Sequence, residues 1–426
     1  MKKIIKKIAL LLIVFCIGVG VTLLYTNNKY GVYEKEETKQ IKKHVDTISM
    51  MLETEAKSGN YERTTRESWP TEGYVFNTTL SKCENGGELL WDDEKKVVLM
   101  SGNVSDKCYV YFDVYVPPRF DEICDETTLA CHVAKLYTGT QGDNNIYYHD
   151  SSLTNGAGDS SYRYSGANPN NYVCFGTNTT PCPTDNLYRI IGVFGNQVKL
   201  IKYDYATSAL LGTDGDYAST GTPNASYYKG SLTTINTYYW NNSTQKNTWS
   251  ESLLNKTNLN TNFINNIGTE WANKIATTTW KVGGNTYANI SQVVPSVAYQ
   301  NEIVNPVTTN TTDNATEYSA KIGLMYVSDY GFGADPSAWT TTLYNYDGSV
   351  NGSTIRSLNW MHMGYYEWTI SRSADYSNGA FGVDYDGYVN SNGVRNNHAV
   401  RPSFNLESSI TYASGSGTQS DPIRIN

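Results

Sequence analysis

At 426 residues the chain is long enough for two or three domains of about 100–200 residues each, which excludes a single small module. Apolar residues are 39% and charged residues 17%, and Asn, Thr, Ser, Gly and Tyr fill the gap, an aromatic-rich neutral composition that is not the signature of disorder and predicts a sticky rather than charged surface. The formal charge is −8, but Lys2, Lys3, Lys6 and Lys7 stand apart at the start and leave 29 basic against 41 acidic residues, a charge of −12, an acidic body that argues against nucleic acid as a partner.

Residues 1–7 read as a cytoplasmic tail and residues 8–25 as a transmembrane signal anchor. The run has 18 residues without a charge. As a helix it would span about 27 Å, close to a hydrocarbon core of roughly 30 Å. A cleaved signal peptide is the competing reading; the length of the run and the lack of a small-residue site after Leu24 favour the anchor. Cys16 follows the bulky Phe15 in mid-run and reads as a membrane-buried thiol rather than a lipid-attachment site. Lysines on one side place the N-terminus inside and the remainder outside the plasma membrane, as a single-pass extracellular surface protein.

Residues 26–69 read as an amphipathic helical stalk. Ile41, Val45, Ile48 and Leu52 recur at spacings of 4, 3 and 4, predicting a helix over 33–57 that ends at Ser58-Gly59-Asn60. Residues 70–116 read as a small β module, with strand-like runs at 74–76, 88–91, 96–100 and 108–112 separated by turn residues. Pro117-Pro118 marks a boundary, and residues 117–143 read as a connector.

Apart from Cys16 the cysteines are Cys83, Cys108, Cys124, Cys131, Cys174 and Cys182, an even set that fits disulfides in an oxidising compartment. Six cysteines allow many pairings; proximity suggests Cys83–Cys108, Cys124–Cys131 and Cys174–Cys182. No C-x₂-C pair is present to suggest zinc.

Residues 144–426 read as one strand-rich domain with a helical patch. Thr248-Trp249-Ser250-Glu251 has the form of a capping box, with Leu253 and Leu254 facing inward, and a second helix is expected over 261–275 with Phe263, Ile264, Ile267 and Trp271 on one side. Near the end, Phe381, Val383 and Tyr385 alternate with small or acidic residues before Asp386-Gly387. This predicts a hairpin with a two-residue type I′ turn, one buried face and one exposed face, and a second turn at Asn392-Gly393.

Several strings in this stretch carry a resemblance: Leu187-Tyr188-Arg189-Ile190-Ile191-Gly192-Val193, Trp249-Ser250-Glu251-Ser252-Leu253-Leu254 with Leu259-Asn260-Thr261-Asn262-Phe263, Lys321-Ile322-Gly323-Leu324-Met325, and Trp368-Thr369-Ile370-Ser371-Arg372-Ser373 with Val400-Arg401-Pro402-Ser403-Phe404-Asn405-Leu406. In this order they resemble a family of bacterial surface domains of unknown function that is similar to the formylglycine-generating-enzyme branch of the C-type-lectin-like fold, over about residues 144–412. The resemblance implies an α+β fold with many short strands and few helices. It also implies a recognition surface between the Trp strand and the closing strand: Asp375, Tyr376, Asn378, Asp384, Tyr385, Tyr388, Asn390, Asn392, Arg395, Asn396, Asn397 and His398. Tyr and Asn suit such a surface, since Tyr offers contact area at low entropic cost and Asn adaptable hydrogen bonding. Trp368 and Phe404 read as core and Arg401 as a buried structural partner.

Catalysis is not expected. Copper-dependent formylglycine generation needs a cysteine pair in the C-terminal part of that fold, and no cysteine follows Cys182. H-E-x-x-H, G-x-S-x-G and Walker-type strings are absent, and the five histidines are scattered, so neither a metal nor another cofactor is expected. Asp384-x-Asp386-Gly387 resembles the start of a calcium loop but lacks the later oxygens and the terminal Glu. The E-P-N, Q-P-D and W-N-D strings of calcium-dependent lectins do not occur. The expectation is a membrane-anchored, non-catalytic surface protein recognising or adhering to an extracellular glycan or protein. A pilin-like or envelope scaffold is the alternative, and an unrecognised cell-envelope enzyme the third reading.

Overall fold

The computed structural model describes residues 47–65, 68–70, 72–101, 106–306, 316–346 and 354–426. They fall into two compact units that divide between Pro118 and Arg119. The cytoplasmic tail and the span expected over 8–25 lie outside the described residues, as does most of the stalk. Among the described residues no helix is long and apolar enough to cross a membrane.

In the first unit the strands are β1 (Thr47–Glu53), β2 (Tyr61–Arg63), β3 (Tyr74–Phe76), β4 (Lys82–Cys83), β5 (Glu88–Asp92), β6 (Val97–Ser101) and β7 (Lys107–Val114). β1 runs parallel to β7 and antiparallel to β2, while β3 and β4 pair with other parts of β7 and β5 pairs with β6. The helix expected over 33–57 is therefore corrected for its last part, and the β module begins at Thr47 rather than at residue 70. The reason lies in the spacing. Ile48 and Leu52, four apart, share a face in a helix and in a strand alike. Met50 between them decides for period two: Met50 is buried with Val110 and Phe112, and Leu52 packs on the same cluster. β7 supplies a strand ladder together with the apolar partners Val110 and Phe112, which an exposed helix would lack.

The expected pairings Cys83–Cys108, Cys124–Cys131 and Cys174–Cys182 all form. The first joins β4 to β7 across a directly opposed pair.

The second unit begins in what the sequence suggested was a connector. Thr128 caps the helix Leu129–Ala134 by accepting from the Cys131 N–H at 3.2 Å. Leu129, Ala130, Val133 and Ala134 then enter the main core. Residues 119–143 therefore belong to the large domain.

Its strands continue as β8 (Ile146–His149), β9 (Ser161–Tyr164), β10 (Tyr172–Cys174), β11 (Leu187–Phe194), β12 (Gln197–Lys202), β13 (Tyr217–Gly221), β14 (Ile235–Tyr239), β15 (Thr278–Lys281), β16 (Glu317–Ala320), β17 (Glu367–Arg372), β18 (Gly379–Val383), β19 (Val389–Gly393), β20 (Asn397–His398), β21 (Ser403–Asn405), β22 (Tyr412–Ser414) and β23 (Arg424–Ile425). The central antiparallel sheet has the order β21-β12-β11-β9-β8, with β10 also on β11. Its last-formed strand in sequence, β21, lies beside β12 some two hundred residues earlier, with Phe404 opposite Leu200. This closes the domain. β17-β18-β19 form a three-stranded sheet, and β20 joins β13 and β14.

The helical patch differs in detail. Thr248 makes no side-chain cap bond, and the segment Trp249–Glu251 is a single tight turn. Ser252 takes the capping role instead, its Oγ accepting from the Asn255 N–H at 3.2 Å and donating to the Trp240 carbonyl at 2.6 Å. A π-helical run Leu254–Phe263 follows, then Ile264–Ile267 and Thr269–Ala272, divided at Gly268 with φ +81°. Leu254, Phe263 and Trp271 are buried as expected, but Leu253 is only half-buried.

Trp368, Phe404 and Arg401 are each almost fully buried. Arg401 donates from Nε to Glu367 at 2.7 Å and from Nη2 to the Met361 carbonyl at 2.6 Å, which pairs a buried charge and gives the structural role expected of it.

Candidate functional site

The C-terminal hairpin forms with Val383 opposite Val389 and Gly379 opposite Gly393. Two features of it are corrected. The Asp384 N–H donates to the Tyr388 carbonyl and the Gly387 N–H to the Asp384 carbonyl, so the loop has three residues, 385–387, with only its Gly at positive φ. That is a type I turn with a bulge rather than a two-residue type I′ turn, which needs two residues at positive φ. The strand β18 is also buried on both faces: Ala380 lies in the main core with Trp368 and Ile370, and Phe381 and Val383 lie in a second core with Tyr330 and Met361. Solvent is reached at the two ends of the hairpin and in part along β19.

Of the twelve residues expected to form one surface, seven are thus divided between two ends, four residue steps or about 13 Å apart along β18. Asp375, Tyr376, Asn378 and Asn392 gather at the end where β17 turns into β18. Asp384, Tyr385 and Tyr388 gather at the loop. Asn390 is half-buried in mid-strand, Arg395 and Asn396 are exposed on the segment leading to β20, and Asn397 is exposed on β20 itself. His398 is not at the surface. Its ring stacks on Trp368 at 4.0 Å between centroids, and burial pushes its pKa down to about 4, so it is a neutral core ring. The adjacency to Arg395 in sequence gave no hint of this, because β20 turns successive side chains to opposite sides.

At the first end Tyr287, Tyr376, Asn378, Ser391 and Asn392 line an open groove of about 290 Å³. Tyr287 and Tyr376 are 51% and 55% exposed and meet edge to face at 5.5 Å. Two side chains position them. Asp375 accepts from the N–H groups of Tyr287 at 2.6 Å and Ala288 at 3.3 Å and from the Ser373 hydroxyl at 2.8 Å. Burial pushes its carboxyl up, but these donors outweigh burial and hold it below the usual range. From the other side the amide of the fully buried Asn247 donates to the carbonyls of Ser373, Tyr376 and Gly379 at 2.7–2.8 Å. The chain that carries Tyr376 is thereby fixed from beneath, so the exposed ring is presented at little further entropic cost. Neither Tyr287 nor Asn247 was legible as part of this site: each lies roughly ninety or more residues before Tyr376 in an unremarkable Asn/Tyr stretch.

At the second end Tyr385 stands edge-on to Tyr227 and Tyr366, both at 5.3 Å, and Tyr388 to Tyr344 at 5.5 Å. Arg356 lies over Tyr227 at 4.7 Å and reaches Asp386 at 3.8 Å. His362 Nε2 bonds the Tyr385 carbonyl at 2.9 Å, and burial together with nearby Lys229 pushes its pKa down to about 3. Burial raises the Asp384 carboxyl. These rings pack on one another, with Tyr344 exposed and Tyr385 and Tyr388 half-buried.

Among the described residues the one group of His, Cys, Asp and Glu close enough to hold a metal is Cys83, Asp106 and Cys108. Its sulfurs are joined to each other, and Asp106 accepts from the N–H groups of Asn85 at 2.7 Å and Gly87 at 2.9 Å, so it is a structural knot.

Comparison with protein-family models, curated proteins and solved structures yields no match to this chain.

Proposed function

We propose that the 119–426 unit is a non-catalytic, C-type-lectin-like recognition domain of a membrane-anchored bacterial surface protein, held outside the plasma membrane, and that the groove between Tyr287 and Tyr376 takes a glycan. The observation that carries this is the exposed Tyr287–Tyr376 pair over a rigid frame, flanked by the amides of Asn378 and Asn392. Aromatic faces cover the apolar face of a sugar ring while short amides bond its hydroxyls, and a groove open to solvent admits a chain rather than enclosing a small molecule.

The test is a glycan array probed with the full chain, repeated with Tyr287→Ala combined with Tyr376→Ala. The expected result is saturable binding to a subset of glycans, weakened about tenfold or more by the pair, as for truncation of central aromatic anchors. Binding unchanged in that variant but lost in Tyr385→Ala with Tyr388→Ala would move the site to the other end of the hairpin. Saturable binding to a protein and to no glycan would overturn the choice of ligand.

A further inference from the structure

A second cavity, of about 220 Å³, lies between the central sheet and β15 and shares no lining residue with the groove. It is built around buried charges. Lys199 of β12 places its ammonium 2.5 Å from Asp329, Arg163 of β9 approaches the other oxygen of Asp329 at 3.5 Å, and the same guanidinium bonds Asp159 at 2.5 Å. Two buried cations thus face two carboxylates, and the third cation on the lining, Lys281, pairs with Glu317. A charged ligand would have to draw one of them from its partner and leave a buried charge uncompensated, so the occupant this cavity favours is neutral.

Its hydrogen-bonding capacity is less evenly matched. The Lys199 ammonium has three N–H donors and, among the described residues, one acceptor, Asp329. The side chain is only 6% exposed, so water does not freely make up the difference. Asn405, 9% exposed, donates from Nδ2 to Thr278 at 3.0 Å, and its Oδ1 is buried with no partner among the described residues. Buried polar groups are costly to leave unpaired. An occupant that satisfies both offers an acceptor to Lys199 and a donor to Asn405, which is the pattern of a secondary amide. The walls are aromatic. The ammonium lies 4.4 Å from the centre of the Tyr326 ring and 5.7 Å from that of the half-buried Phe194, so apolar surface adjoins the polar floor.

We propose that this cavity is a binding site for a neutral N-acetylated amino sugar. The acetamido carbonyl accepts from Lys199, its N–H donates to Asn405, and its methyl group and the ring face lie against Phe194 and Tyr326. The volume suits one sugar ring, a terminal residue rather than an internal stretch of chain. The site stands on residues separate from the groove and does not depend on it.

The experiment is calorimetric titration of the purified full chain with N-acetylglucosamine, glucose, glucosamine, glucuronate and N-acetylalaninamide. N-acetylglucosamine is expected to bind, with glucose about tenfold weaker or worse for want of the amide and the two charged sugars not saturating. Thr279→Trp, at an exposed position on the rim, is expected to abolish binding without changing the thermal unfolding midpoint, and Lys199→Met to weaken it about tenfold or more. Should Lys199→Met fail to fold, Thr279→Trp decides. Tyr287→Ala with Tyr376→Ala should leave this titration unchanged, which separates it from the groove. Absence of binding at millimolar sugar, equal binding of glucose, tighter binding of either charged sugar or of N-acetylalaninamide, or indifference to Thr279→Trp would each overturn the proposal.

Discussion

Asn247 shows at a single residue what the unusual composition does. Its amide reaches three backbone carbonyls from a fully buried position, and Asn171, Asn255, Asn258 and Asn359, equally buried, bond carbonyls of other segments. Tyr162, Tyr164, Tyr188, Tyr205 and Tyr238 are likewise among the largest fully buried side chains. The Tyr and Asn content therefore serves the interior as well as the surface, which the reading from composition alone did not separate. Counting residue types cannot separate the two uses, because an Asn that ties irregular backbone together and an Asn that meets a ligand offer the same groups. Glu302 is the buried side chain with the clearest pH consequence. It accepts from the N–H groups of Val327 at 3.1 Å and Ser328 at 3.0 Å and from the Ser371 hydroxyl, yet burial outweighs these donors and raises its pKa from 4.5 to about 7. Between those values the folded chain keeps a proton that the unfolded chain releases. The stability this proton confers is complete below about pH 4.5 and is lost as pH rises to about 7, by at most about 3 kcal/mol. The buried neutral rings of His362 and His398 shift stability the opposite way over the same range, so the test is a difference: in urea denaturation at pH 5 and pH 7.5, the change in stability with rising pH should be less favourable in the wild type than in Glu302→Gln by about 2 kcal/mol, and equal changes in the two chains would remove Glu302 as the cause.

At the scale of elements, what could be read from the sequence was local pattern and what could not was partner choice. The runs Tyr74–Phe76, Glu88–Asp92, Val97–Ser101 and Lys107–Val114 are strands near the expected limits because alternation, β-branched residues and turn residues agree there. Thr47–Glu53 was misread because its spacing of four serves both periods and the deciding contact, β7, lies some sixty residues on. The hairpin was placed correctly and its faces were not, since alternation cannot reveal that a second core covers the side carrying Phe381 and Val383. The loop turns on Gly387. Its φ is +103°, its carbonyl accepts from the Tyr330 hydroxyl at 2.6 Å, and an added Cβ would lie 3.0 Å from the Cβ of Arg356. Gly387→Ala is expected to cost about 1–2 kcal/mol, from backbone strain with a small shift of the loop. Thermal unfolding reads the loss, and an unchanged midpoint would mean that the loop relaxes without strain. The same variant should leave the groove at Tyr376 intact, because the loop is at the far end of β18.

For the whole molecule the division at Pro118 joins two units held by different means. The larger unit has a core that draws on its sheet, its helical patch and its C-terminal strands. Among the described residues the smaller one buries Met50, Val110 and Phe112 as the centre of its apolar cluster, with Leu52, Trp69, Phe76 and Trp91 partly covered around them. A core of that size is marginal by itself. The Cys83–Cys108 bond closes a loop of 25 residues within it, which in the chain-entropy account removes about 3.5 kcal/mol of freedom from the unfolded state. Cys124–Cys131 and Cys174–Cys182 span 7 and 8 residues, constrain the unfolded chain less, and belong to a unit that has a core without them. Denaturation of the full chain should therefore show two transitions. Cys83→Ser with Cys108→Ser should move the smaller unit's transition to lower denaturant, or remove it, and leave the larger one in place. Trp69 and Trp91 report the first by fluorescence in a chain whose other tryptophans are replaced by Phe where the fold permits, and protection of amides in β11 and β12 from hydrogen exchange reports the second. A single transition that moves as a whole in the double variant would show instead that the two units fold as one cooperative body, and the reading of Pro117-Pro118 as a boundary would fall with it.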